Sequence, residues 1–215
     1  MHRFTLCCGM ALAAIAGCGG HGVTPLMAAA RTGDLAEMRR LLDAGADPYD
    51  RDITNGWTAL FHAIHKNQPD AVRLLLDRGV NPNQGARSTT ALMLAAADRD
   101  PTIVEILLNA GANPRLTRFD GATALTQAVS GGALSDIDRP LLGGCHPATV
   151  RALLAHDPTL RLPDSMAGRD ALFWARFHGC REVLELLGEP NAVSGGQTPR
   201  DDDRRTRATD APSRR

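Results

Sequence analysis

Thr24-Pro25-Leu26-Met27-Ala28-Ala29 returns four times along the chain. The echoes are Thr58-Ala59-Leu60-Phe61-His62-Ala63, Thr90-Ala91-Leu92-Met93-Leu94-Ala95, Thr123-Ala124-Leu125-Thr126-Gln127-Ala128 and Asp170-Ala171-Leu172-Phe173-Trp174-Ala175. The central leucines stand 34, 32, 33 and 47 residues apart. A period of this length marks a stack of like units, each too small to bury its own apolar face. Only the last step is irregular.

The rest of each unit repeats in phase. Four residues after each motif-ending Ala come Gly33, Asn67, Arg99, Gly132 and Gly179, where a first helix must stop. Gly and Asn take the left-handed conformation at low cost. Second helices are predicted over Asp34–Ala44, Pro69–Arg78, Pro101–Ala110, Pro147–His156 and Arg181–Leu187, each with a Leu-Leu pair. Pro69, Pro101 and Pro147 suit first-turn positions, where no N–H is needed. Gly45-Ala46-Asp47-Pro48, Gly79-Val80-Asn81-Pro82 and Gly111-Ala112-Asn113-Pro114 then supply a stop followed by turn chemistry.

This pattern resembles the ankyrin repeat, whose unit of about 33 residues is a turn followed by two antiparallel helices, with T-P-L-H-x-A opening the first. The resemblance covers residues 23 to about 188 and implies an all-α solenoid of five repeats: 23–53, 54–87, 88–120, 121–166 and 167–190. The family's motif His is replaced by Met27, Phe61, Met93, Thr126 and Phe173, which predicts loss of its hydrogen bonds in every repeat. Apolar packing is expected instead at Met27, Phe61, Met93 and Phe173. Repeat four carries an insertion, 131–146, between its helices, and Asp157 is read as standing where glycine stood before. Leu134, Ile137, Leu141 and Leu142 in the insertion either contact a partner or fold back over repeats four and five.

The start of the chain predicts a compartment. Arg3, the apolar run Phe4–Ala16 and a small-residue end read as a secretory signal, too short for a comfortable membrane span. Leu12-Ala13-Ala14-Ile15-Ala16-Gly17-Cys18 resembles a bacterial lipobox, which implies cleavage after residue 17 and acylation of Cys18 with a palmitate-type chain. Gly19 after that Cys resembles outer-membrane sorting, and residues 18–22 become a short tether. At the other end, 191–215 is too poor in apolar residues to offset the entropy of ordering and reads as a disordered tail.

Formal net charge is zero, so no basic field argues for nucleic acid. Membrane contact is expected from lipid alone. No phosphate loop, HExxH or G-x-S-x-G is present, and no cofactor or metal is expected. His62 and His65 share a helix but have no acidic or Cys partner nearby in sequence, and a structural role is favoured. Cys145-His146 and Cys180 near His178 leave a thiol or redox enzyme as the alternative function. In an oxidising compartment two such cysteines more often pair, and the repeat alignment sets Cys180 opposite Pro147, two residues from Cys145.

Function is therefore expected from surface, as a non-enzymatic, monomeric, lipid-anchored binder of a protein partner facing the periplasm. It could act as an inhibitor or immunity factor against a secreted toxin. The resemblance places docking on a concave wall built from first helices and finger tips. On this sequence the wall residues are Arg31, Ile53, Trp57, His65, Lys66, Arg87, Asp98, Phe119, Phe177 and His178. Met166 and Arg169 are assigned to the last finger.

Overall fold

The computed structural model describes residues 22–97, 100–130 and 145–189. The predicted signal and Cys18, Asp98, most of the insertion and the tail 191–215 lie outside the described residues.

Ten helices form two layers within the described residues. The inner layer is α1 (Pro25–Thr32), α3 (Ala59–His65), α5 (Ala91–Ala96), α7 (Ala124–Ser130) and α9 (Met166–Phe177), each packed on the one before it. The outer layer is α2 (Leu35–Asp43), α4 (Pro69–Asp77), α6 (Thr102–Asn109), α8 (Pro147–His156) and α10 (Arg181–Leu186), stacked in the same order. The fold is the expected all-α solenoid.

The repeated motif works as a helix start. Thr24 Oγ1 accepts from the Met27 amide at 3.3 Å, Thr90 Oγ1 from Met93 at 3.2 Å, and Thr123 Oγ1 from Thr126 at 3.3 Å. Thr58 instead donates its buried hydroxyl to Gln84 Oε1 at 2.9 Å, tying the start of α3 to the loop that leads into α5. Gly33, Asn67 and Gly179 do take positive φ, 72°, 51° and 66°, where the first helices turn back.

Four corrections to the sequence reading carry physical content. Hydrogen bonding at the family's His position is not lost everywhere: in repeat four the Thr126 hydroxyl accepts from the Thr123 amide at 2.8 Å and donates to its carbonyl at 2.7 Å. Phe173 is not packed away, being 60% exposed, whereas Met27, Phe61 and Met93 are buried. Helix α9 begins at Met166, one turn before the motif, because Ser165 Oγ accepts the Gly168 amide at 3.3 Å; Met166 and Arg169 are helical and not part of a finger. Asp157 does not replace a left-handed glycine. It is extended at φ −138° and plays another part.

That part is a repeated Asx turn. Asp47, Asn81, Asn113 and Asp157 each precede a proline and each accept, through the side-chain oxygen, the amide two residues on, at 2.8, 2.8, 2.9 and 3.0 Å. The residue at the end of each turn then reaches the next repeat. Tyr49 Oη accepts from the Asn81 amide at 3.0 Å, Asn83 Oδ1 from the Asn113 amide at 2.7 Å, and Arg115 donates to Asp157 Oδ2 at 2.6 and 2.9 Å. Repeat four dispenses with the glycine but keeps the ladder.

Candidate protein-binding surface

The finger of repeat two is built around a buried acid. Asp52 accepts the amides of Asn55 at 2.6 Å and Gly56 at 3.1 Å through Oδ1, which closes the loop, and its Oδ2 meets His62 Nε2 at 2.8 Å. Burial pushes the Asp52 carboxyl up, but the Asn55 amide, His62 and the Gly56 amide outweigh it and hold the group below its usual range. For His62 burial dominates and lowers the imidazole pKa; Asp52 partly offsets this, while the charges of Arg31 and Lys66 lower it further. A neutral imidazole donating Nε2–H to a carboxylate fits both directions. Among the described residues no group of three or more His, Cys, Asp or Glu side chains could hold a metal.

Trp57 lies half-buried over this pair. Its ring stands edge-on to His62 at 5.5 Å and packs against His65 at 4.9 Å and Phe61 at 6.4 Å. Trp57 and His65 thus support the finger as much as they present a face. Ile53 at the tip is 68% exposed.

The finger of repeat three is a short hairpin, β1 (Gly85–Ala86) paired antiparallel with β2 (Thr89–Thr90). Its turn residues Arg87 and Ser88 have φ of 44° and 72°. Two positive φ values in a row are a turn that favours Asn-Gly, so both side chains sit there at a conformational cost. Two arginines cross-link the fingers: Arg87 donates to the Thr54 carbonyl at 2.5 Å, and Arg51 to the carbonyls of Gly56 at 2.9 Å and Gly85 at 3.0 Å. Thr54 and Arg87, with Ile53 beside them in sequence, thereby form one linked edge.

The remaining wall residues are more dispersed in role. Arg31 and Lys66 are exposed, and their charges are both felt at His62. Phe119 at the tip of finger four is 88% exposed, with the Arg118 guanidinium 5.8 Å from its ring centre, while Arg118 is itself paired with Asp120. Phe177 and His178 touch each other at 5.2 Å, but they belong to an aromatic group at the end of the stack, with Phe173 and Trp174. Sequence reasoning missed that group because it treated Phe173 as core. It also missed Asp52, which the Asp-x-x-Asn-Gly turn signal could have found.

Cys145 and Cys180 are joined as a disulfide between the starts of α8 and α10, with Cα atoms 5.8 Å apart. In that state neither of these two sulfurs is a free nucleophile. Among the described residues no helix is long and apolar enough to cross a membrane.

Residues 6–86 match a family model described as ankyrin repeats (3 copies), and residues 75–128 match one described as ankyrin repeats (many copies). Curated relatives include a putative ankyrin repeat-containing protein of Treponema pallidum, 47% identical over 57 residues, which are 26% of this chain and 19% of that protein. Ankyrin repeat and SAM domain-containing protein 6 of Rattus norvegicus is 38% identical over 69 residues, 32% of this chain and 8% of that protein. The 2-5A-dependent ribonuclease of Mus musculus is 37% identical over 59 residues, 27% and 8% respectively. The chain thus spans less than a fifth of the length of each.

Proposed function

The chain carries ankyrin repeats and is on that ground a protein–protein interaction module; from this premise we propose that it is a lipid-anchored binder of the bacterial envelope, engaging its partner with the finger edge of repeats two and three. The observation that carries the choice of surface is the Ile53, Thr54 and Arg87 edge. It combines an exposed aliphatic tip, a strained turn and inter-finger hydrogen bonds that fix its shape before binding. An edge already ordered loses little entropy on docking.

The envelope part of the reading is supported by the lipobox-like Leu12–Cys18 run and by the Cys145–Cys180 pair, which suits an oxidising compartment. Attachment through two acyl chains exceeds the marginal hold of one and needs no basic patch on the repeats. Inhibition of, or immunity against, a secreted toxin is one role open to a binder so placed, since an anchored chain meets an incoming protein at the membrane.

The test is fatty-acid labelling and fractionation of wild type and Cys18→Ser, followed by recovery of bound protein from the envelope fraction with wild type and Ile53→Asp as baits. Label lost with Cys18 and a partner lost with Ile53 support the reading. Equal labelling of the Cys18→Ser chain would overturn the anchor, and equal capture by Ile53→Asp the surface.

A further inference from the structure

One position of the inner helix is buried in each of the first four repeats. Met27, Phe61, Met93 and Thr126 are all 1% exposed. Phe173 holds the same position in repeat five and is 60% exposed, and Leu172 is only half-buried although Leu26, Leu60, Leu92 and Leu125 before it are fully enclosed. No further repeat follows α9 and α10 among the described residues. Among the described residues this side of α9 is left exposed at Phe173 and Phe177.

That face is aromatic. Phe173 and Phe177 stack at 6.1 Å, Trp174 meets Phe177 edge-on at 5.8 Å, and His178 stacks on Trp174 at 5.5 Å. A terminal repeat ordinarily turns a polar face outward. Here Arg176 is a polar replacement: it stands where Ala30, Ile64, Ala96 and Val129 are buried, and it pairs with Glu189 at 3.0 Å.

We propose that residues 190–215 of the same chain cover this aromatic end, with arginine guanidinium planes lying over the rings of Phe173, Trp174 and Phe177. The chain leaves the described residues at Glu189, already tied to α9 through Arg176. The sequence beyond then repeats the signals that lead from one repeat to the next. Gly188 has φ 71°, like Gly45, Gly79 and Gly111 after the earlier second helices, and Gly196-Gln197-Thr198-Pro199 echoes Gly56-Trp57-Thr58 and Gly121-Ala122-Thr123 before the next inner helix. Thr198 stands 10 residues after Gly188, against 13, 11 and 12 in the earlier steps. That spacing is close to the one by which each earlier second helix leads to the next inner helix.

Composition decides what it brings there. Val193 is the single large aliphatic residue of 190–215, whereas Arg200, Arg204, Arg205, Arg207, Arg214 and Arg215 supply six guanidinium groups. Such a segment cannot build a core of its own, but it can lay cations on a ready-made aromatic surface. Being tethered, it is present at an effective concentration in the millimolar range, above that of a second copy in dilute solution.

Trp174 is the reporter, isolated by Trp57→Phe. In that background the full chain is compared with a chain ending at Glu189 and with a chain carrying Arg→Ser at 200, 204, 205 and 207; circular dichroism checks the fold and light scattering the mass. Removal of the segment is expected to red-shift Trp174 emission and raise its acrylamide quenching several-fold. The arginine variant should move the same way, with all chains monomeric. Unchanged quenching on truncation overturns the proposal, as does a full-length dimer that shields Trp174 without the segment. An arginine variant indistinguishable from the full chain overturns the guanidinium contact. Independently of Trp57, a photoreactive benzophenone replacing Phe177 should cross-link to 190–215 within one chain; links only elsewhere, or only between chains, overturn it.

Discussion

Asn83 Oδ1 accepts the backbone amide of Asn113 at 2.7 Å, while the same side chain donates through Nδ2 to the carbonyl of Gly111 at 3.2 Å. One amide side chain thus bridges the turns that follow two successive repeats, and its neighbours Tyr49 and Arg115 do the same one step before and after it. Asn83→Ala removes both bonds and leaves the turn groups to water. It should lower stability by about 1 kcal/mol, read from urea unfolding followed by circular dichroism, with secondary structure retained.

The Asp52–His62 pair makes stability depend on pH in a defined direction. His62 has a folded-state pKa below its ordinary value of 6.5, so the unfolded chain binds the proton more readily than the folded one as pH falls through that value. Its contribution is complete above pH 6.5 and is lost as pH drops towards the lowered folded value; the Asp52 contribution is lost only at more acid pH, below its usual 3.8. Melting temperatures of wild type and His62→Gln measured between pH 7.5 and pH 5 should converge as the medium becomes acid. Parallel curves would show that the pair does not titrate as described.

Gly168 is required by close approach and not by a turn. A Cβ there would sit 1.9 Å from the carbonyl oxygen of Pro163, a backbone atom that cannot swing aside. Gly168→Ala should therefore displace the start of α9 and cost about 1–3 kcal/mol as overpacking does. Alanine at Gly33 has a milder steric consequence, since its nearest atom belongs to the flexible Gln68 side chain, and the cost there comes mainly from φ 72°. Paired thermal melts of the two variants separate these causes.

Closing the 35-residue span between Cys145 and Cys180 should stabilise the fold by about 3 to 4 kcal/mol on the loop-entropy account. Non-reducing mass spectrometry of protein from an oxidising compartment should find the pair bonded. Unfolding with and without reductant then reads the size of the effect, and Cys145→Ser should match the reduced chain.

On the proposed docking edge, Ile53→Ala and Arg87→Ala should each weaken partner binding by about 1 kcal/mol or more, while Glu105→Ala on the exposed side of α6 should do little. Trp57→Ala is expected to lose stability as well as affinity, because its ring packs on Phe61, His62 and His65. Calorimetric titration beside a thermal melt of each variant distinguishes the two effects.

Most of the helix pairs and several of the turns between them were legible in the sequence, because each depends on local chemistry that recurs in phase: a leucine that faces inward, a glycine or asparagine that reverses the chain. What Phe173 does was not legible. Its residue type and motif position match Phe61, and only the absence of a following repeat among the described residues leaves one exposed and the other enclosed. The same holds for Asp157, which alignment by position read as a lost glycine and which the fold uses as the acceptor for Arg115 of the preceding repeat. Trp57 is read from the sequence as a wall residue, and only the fold shows that its ring also packs on Phe61, His62 and His65. Local sequence sets where the backbone turns and which faces are apolar; burial and pairing are properties of neighbours from other repeats, so they were decided by the stacking.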